Sequence, residues 1–205
     1  MLTLGKKTNR KRVPLLLPII GVVILGGGLY VLSLVASPTI VPLIVQKPIT
    51  VSALPLPEKT ENRVVIPKLG VNIPYAPGEA SLDQGAQWRY PDRGNPERGG
   101  NFIIAAHRFS IQPTPMGTVE KSPFYNIDKL IVGDKIIVDY LGTRYAYEID
   151  KIFDVNSSQT EIEAESDISK LTLYSCELGG SEAGRVVVTA TPMGKVALES
   201  GQTES

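Results

Sequence analysis

From Pro14 to Ala36 the chain runs PLLLPIIGVVILGGGLYVLSLVA without a single charge. No other feature limits the fold as severely. A stretch of that length, at about 1.5 Å per residue, is long enough to span the roughly 30 Å hydrocarbon layer of a bilayer. Pro18 and the Gly26-Gly27-Gly28 run would weaken a helix in water but are tolerated in a membrane helix. The apolar core of a cleaved signal peptide is shorter, about 7–15 residues. Leu34-Val35-Ala36-Ser37 is only a partial cleavage site. The segment reads as an uncleaved signal-anchor. Lys6, Lys7, Arg10, Lys11 and Arg12 precede it, and no cation follows until Lys47. The positive-inside rule then keeps residues 1–13 in the cytoplasm and sends the remainder across the cell membrane as a single-pass protein.

The formal net charge is zero, from 21 basic and 21 acidic residues. Five of the basic residues crowd into the first twelve positions, so 16 face all 21 acidic ones in the rest of the chain. No basic field argues for nucleic acid. Residues 37–61 carry Pro38, Pro42, Pro48, Pro55 and Pro57. Prolines at that density oppose both helix and central strand, which predicts an extended stalk.

From about Arg63 the pattern changes to short β-branched runs punctuated by Gly, Pro, Asn and Asp. RVVIP, NFIIAA, KIIVDY, TRYAYEIDKIFDV, LTLYSC and RVVVTAT read as strands, and their spacing predicts a mostly β sandwich or closed barrel over residues 62–194. Short helices are expected within Ala80–Trp88 and Ser122–Leu130, and a hairpin turn at Leu141-Gly142-Thr143. Residues 195–205 read as a polar tail.

The chain has one Cys and one His. A lone Cys excludes an internal disulfide and multi-cysteine metal sites, and a lone His excludes two-histidine zinc motifs. Cys176 ends the strand LTLYSC before a Gly-rich loop, and alternation puts Thr172, Tyr174 and Cys176 on one side. If the next strand is its neighbour, Arg185 stands beside the thiol, where a cation favours thiolate and can offset a developing oxyanion. His107 ends another apolar strand. All three are expected at a barrel rim. A buried inert thiol, a structural imidazole and a solvated guanidinium are the plainer readings. A free thiol kept outside the membrane, and three strand-end positions together, favour chemistry.

The combined motifs resemble the sortase family. LTLYSC followed by RVVVTA resembles its TLxTC strand with a following Arg. NFIIAAHRF resembles the strand that ends in its His. RVVIPKLGVNIPY resembles its opening strand, and FYNIDKLIVGDKIIVDY its GD-containing segment. The matches fall in family order from about Arg63 to about Pro192. Ala106 stands where the family often has Gly, Ser175 where Thr is commoner, and the Pro often found after the Cys is missing.

That resemblance implies an eight-stranded sortase-type β-barrel and a cysteine transpeptidase. It implies catalytic roles for Cys176 as nucleophile, His107 as acid and base, and Arg185 at the substrate backbone or oxyanion. Its partners would be surface proteins bearing an LPxTG-like signal, and an amine from a peptidoglycan precursor or a pilin lysine. A general anchoring type is expected in preference to a pilus-polymerising one, since no second apolar span follows. No cofactor is expected. Some members of the family bind calcium, for which Glu161, Glu163, Glu165 and Asp167 could supply oxygens, although a solvated acidic loop is the favoured reading. The alternative in another class is a catalytically silent β-domain that binds cell-wall material or surface proteins.

Overall fold

The computed structural model describes residues 16–45, 47–178 and 180–198. It opens with helix α1 (Leu16–Val45), whose Leu16–Leu43 portion is long and apolar enough to cross a membrane. The strands are β1 (Arg63–Ile66), β2 (Val71–Pro77), β3 (Ala86–Arg89), β4 (Gly94–Asn95) and β5 (Gly99–Ala106). After a six-residue helix α2 (Pro115–Glu120) come β6 (Lys135–Tyr140), β7 (Thr143–Val155), β8 (Lys170–Glu177) and β9 (Gly180–Lys195).

The order β3-β2-β1-β6-β7-β9-β8-β5 is closed by pairing of β5 with β3, giving the eight-stranded barrel that the family resemblance implies. The two-residue β4 adds to β5 outside that ring. Closure removes free edges. Alternation sorts the side chains: Phe102, Ile104, Leu171, Leu173, Val186 and Val188 join the interior cluster. Ile103, Ala105, Tyr174 and Val187 form a smaller cluster on the outer face. Strand β5 is thus buried on both sides, which is why NFIIAA lacks polar alternation.

One pairing decides where function can sit. Strands β5 and β8 run parallel, with Ala105 opposite Tyr174, while β9 runs antiparallel to β8. Parallel neighbours end at the same side. The C-termini of β5 and β8 therefore meet the start of the apolar half of β9 at one end of the barrel. The β6–β7 hairpin, with Leu141 and Gly142 at φ 47° and 81°, turns at the other end, as expected for two positive-φ turn residues.

Three local expectations are corrected or narrowed. The proline-rich segment does not begin as an extended stalk, because α1 continues through Pro38 and Pro42 to Val45. Pro38 has no N–H for the Leu34 carbonyl, but Ser37 Oγ donates to that oxygen at 2.8 Å and replaces the lost bond. The later stalk is held on the barrel rather than free: Ile49 N–H donates to the Pro67 carbonyl, and Arg144 to the Pro55 carbonyl. Within Ala80–Trp88, helical turns cover only Glu79–Asp83, and Ala86–Trp88 enter β3 through long-range pairing with β5. Within Ser122–Leu130 the expected short helix is a single helical turn over Ile127–Lys129, and Ser122 does not begin it. The α-helix of that loop is capped earlier, by Thr114 Oγ1 accepting from Gly117 N–H at 3.0 Å, with Pro115 at its first turn.

Candidate active site

Cys176 and Arg185 are direct partners in the β8–β9 register. The ladder breaks between Cys176 and Glu177, so the thiol occupies the last regular position of its strand and is exposed. His107 follows β5 directly, two positions past Ala105, as Cys176 lies two past Tyr174 on the parallel neighbour. All three line one groove of about 520 Å³, with Leu82, Arg89 and Phe109 among its other walls. The structure brings together the three residues singled out by sequence. It places them on the outer wall near one end of the barrel, above the small outer cluster, rather than in the mouth.

Each side chain is held differently. Arg185 Nη1 donates to the Ser157 carbonyl at 2.6 Å, and its guanidinium carbon lies 5.8 Å from the Tyr174 ring centroid. These contacts leave other N–H groups of the fork free to turn toward a ligand beside Cys176. His107 accepts Phe124 N–H at its carbonyl, 3.1 Å away, which fixes the backbone under the imidazole. Its Nε2 lies 3.7 Å from Asp83 Oδ1, too far for a hydrogen bond, and Asp83 is strongly exposed. Such a pair orients imidazolium weakly.

Sequence reasoning missed the group beneath the groove. Glu163, counted in the acidic loop, is buried. Its Oε1 accepts Tyr174 Oη–H, its Oε2 accepts Tyr90 Oη–H at 3.3 Å, and Arg89 Nε lies 3.1 Å from Oε1 without hydrogen-bond alignment. Burial, then the bond to Glu163, pushes the Tyr174 phenol well above the usual tyrosine range. Burial alone would lower the Arg89 guanidinium, but Tyr174, Glu163 and Tyr90 outweigh it and hold its proton more tightly. Asn101 seats the same loop by donating to the Ile162 and Ala164 carbonyls at 3.0 and 2.7 Å. The one signal available in sequence was Tyr174, two residues before Cys176 on the same strand face; nothing separated Glu163 from the other acids of its loop.

The four acids named as possible calcium ligands do not converge. Glu163 points inward to the tyrosines, and among the described residues no group of three or more His, Cys, Asp and Glu side chains is arranged to hold a metal. Ser175 Oγ faces the interior and has no hydrogen-bond partner.

An exposed thiol beside a fixed guanidinium, with one imidazole in the same groove, can form and break an acyl–sulfur bond with proton transfer at hand. The comparisons agree. The sortase domain model matches residues 64–193. Sortase SrtE1 of Streptomyces coelicolor is 31% identical over 134 residues, which is 62% of this chain and 34% of that protein, so the chain spans only about a third of that relative. A Clostridium perfringens Sortase D5 transpeptidase is 29% identical in sequence, with TM-score 0.52, covering 65% of this chain and 79% of its own. Sortase C1 of Streptococcus agalactiae is 25% identical, with TM-score 0.55, covering 66% and 68%. Listeria monocytogenes sortase A, at 20% identity and TM-score 0.52 over 66% of this chain and 90% of its own, shares the fold. Barrel, groove and domain match converge on one assignment: this chain belongs to the sortase family.

Proposed function

We propose that the protein is a membrane-anchored cysteine transpeptidase whose nucleophile is Cys176. It cleaves an LPxTG-like sorting signal and joins the surface protein to an amine of the cell envelope. The observation that carries the reading is the Cys176–Arg185 register with His107 in the same groove.

The thiolate of Cys176 attacks the carbonyl carbon of the Thr–Gly amide, and the oxygen takes up the negative charge. Arg185 hydrogen-bonds that oxygen or the neighbouring substrate carbonyl. A donor aimed at an oxyanion is typically worth about 3–4 kcal/mol, and a guanidinium stays charged at every working pH. The C–N bond then breaks as His107 gives its proton to the leaving amine, because an unprotonated amide nitrogen does not depart. A thioester remains on Cys176. The acceptor amine attacks it and His107 takes the amine's proton. The C–S bond breaks, a new amide forms and the thiolate returns. A thioester retains enough acyl reactivity for this transfer. No step requires a cofactor. The acceptor is a peptidoglycan-precursor amine or a pilin lysine, and the structural likeness extends alike to sortases of types A, C and D.

Helix α1 is read as the anchor, with residues 1–13 cytoplasmic and the barrel outside. Product analysis tests the whole scheme. The full chain in detergent, given an LPxTG-like peptide and a peptidyl amine, yields the joined peptide. Cys176→Ala yields none, and His107→Ala yields none above the uncatalysed level. A folded wild-type chain that gives no joined or hydrolysed product with a panel of such peptides is instead a silent binding domain.

A further inference from the structure

Helix α1 does not stand clear of the barrel. Leu34 and Ser37 are buried, Tyr30 Oη donates to the Pro113 carbonyl at 2.5 Å, and Thr39 Oγ1 lies 3.0 Å from Tyr125 Oη. Pro113 and Tyr125 both belong to the segment between His107 and β6. Tyr30 therefore fixes how far along the anchor the α2 loop sits.

That depth follows from the sequence. The uncharged run begins just after Arg12. Crossing about 30 Å at about 1.5 Å per residue uses about 20 residues. The outer boundary of the hydrocarbon then falls a turn or less past Tyr30, at the level where tyrosines favour the headgroup–acyl interface. A loop bonded to Tyr30 lies at that same level. Its composition suits the position: Phe109 through Val119 carries no charge, and Ile111 and Met116 are 55% and 49% exposed. Single exposed apolar residues are ordinary on a soluble surface. Here they coincide with an uncharged run at the depth of the interface.

We propose that the α2 loop, through Ile111 and Met116, inserts into the outer-leaflet interface of a lipid bilayer and seats the barrel on the membrane. This rests on the reading of α1 as the anchor. The loop offers no cation between Phe109 and Val119, so insertion is apolar and does not depend on anionic lipid. The groove is drawn toward the membrane as a consequence. Tyr125, bonded to Thr39 of α1, packs its ring 6.0 Å from Phe109, which lines the groove, and Arg108 Nε reaches the Tyr125 carbonyl. A substrate still tethered to the bilayer would meet Cys176 close to the point where it leaves the lipid.

The test uses the full chain in phosphatidylcholine vesicles. In a Cys176→Ala background, Met116→Cys, Ile111→Cys and Ile168→Cys are each labelled with an environment-sensitive dye, and nitroxide-bearing acyl chains serve as quencher. Ile168 is 78% exposed and precedes β8, at the end away from the groove. The expected result is blue-shifted emission at 111 and 116, with quenching about twofold or more above that at 168, unchanged when anionic lipid is added. Retention of the chain by vesicles after alkaline wash is scored separately. A retained chain with 111 and 116 no more quenched than 168 overturns the loop insertion and leaves the anchor intact. A chain that washes off overturns both.

Discussion

Two of the arginine–carboxylate pairs, one at each end of the barrel, differ in what surrounds them. Arg144 and Asp139 face each other across the β6–β7 hairpin, 3% and 5% exposed, with Nε and Nη2 on the two carboxylate oxygens at 2.7 and 2.8 Å. A third N–H contact, to the Pro55 carbonyl, ties the stalk to the same point. Arg89 and Glu163 lie beneath the groove, 28% and 11% exposed, with one poorly aligned contact at 3.1 Å. Glu163 is shared with Tyr174 and Tyr90. The hairpin pair is buried and two-pronged: Nε and Nη2 each donate to one carboxylate oxygen. The groove pair is open, and its guanidinium has surface left for a substrate. A buried pair with two aligned bonds marks the end that holds the fold, and a partly exposed pair with one poorly aligned contact borders the groove.

Substitutions can break this contrast. The largest expected effect is on chemistry alone. Cys176→Ala removes transpeptidation, a loss on the order of a thousandfold or more, while thermal unfolding stays within a degree or two because the side chain is exposed. The converse effect comes from Asp139→Asn. It leaves the buried Arg144 charge without its counter-charge and lowers stability by about 3–5 kcal/mol, read as a fall in denaturation midpoint, while the remaining folded protein keeps its turnover. A loss of turnover larger than the loss of folded fraction would show that the two ends are coupled.

Glu163→Gln falls between these. It removes the charge facing Arg89 and weakens the seat of Tyr174, with an expected stability loss of about 1–3 kcal/mol. Because the open pair borders the groove, KM for the peptide should rise more than kcat falls. Equal stability loss with unchanged kinetics would make it a second structural pair. Alkaline titration gives a smaller, distributed effect. Tyr75, Tyr147 and Tyr174 all have pKa values raised mainly by burial. Their stabilising contribution is fully present below the ordinary tyrosine value near 10 and is lost as pH rises above it, because the unfolded chain then releases protons that the folded chain retains. The unfolding midpoint in denaturant should fall steadily above about pH 10. Ser175→Ala is the mildest change. It removes a buried hydroxyl that has no partner, and stability should be unchanged or rise by up to about 1 kcal/mol.

The strands that build the interior were legible in sequence because β-branched runs between turn residues have few other folds. Cys176 beside Arg185 was legible for the same reason, since a short loop between two such runs makes them neighbours. Glu163 was not legible. In sequence it is one of four acids in a polar loop, and only the fold brings Tyr174, and Arg89 with Tyr90, to it from two other segments. Strand β3 escaped because its pairing partners, β2 in parallel and β5, are decided by barrel closure and not by local pattern. The helical course of Pro38 and Pro42 escaped because proline reads as a breaker. The rescue by Ser37 Oγ is a single hydrogen bond that composition cannot weigh.

The central claim is that acyl transfer runs through the thiol on the outer wall and is independent of the buried hairpin pair. Intact-mass measurement tests it directly. Wild type and Asp139→Asn are each mixed with an LPxTG-like peptide and quenched in acid, and the modified residue is located by fragmentation. The account predicts an acyl adduct on Cys176 in both proteins, in proportion to the folded fraction, and none in Cys176→Ala. An adduct on any other residue, or a folded wild-type protein whose Cys176 never acquires one, would contradict it.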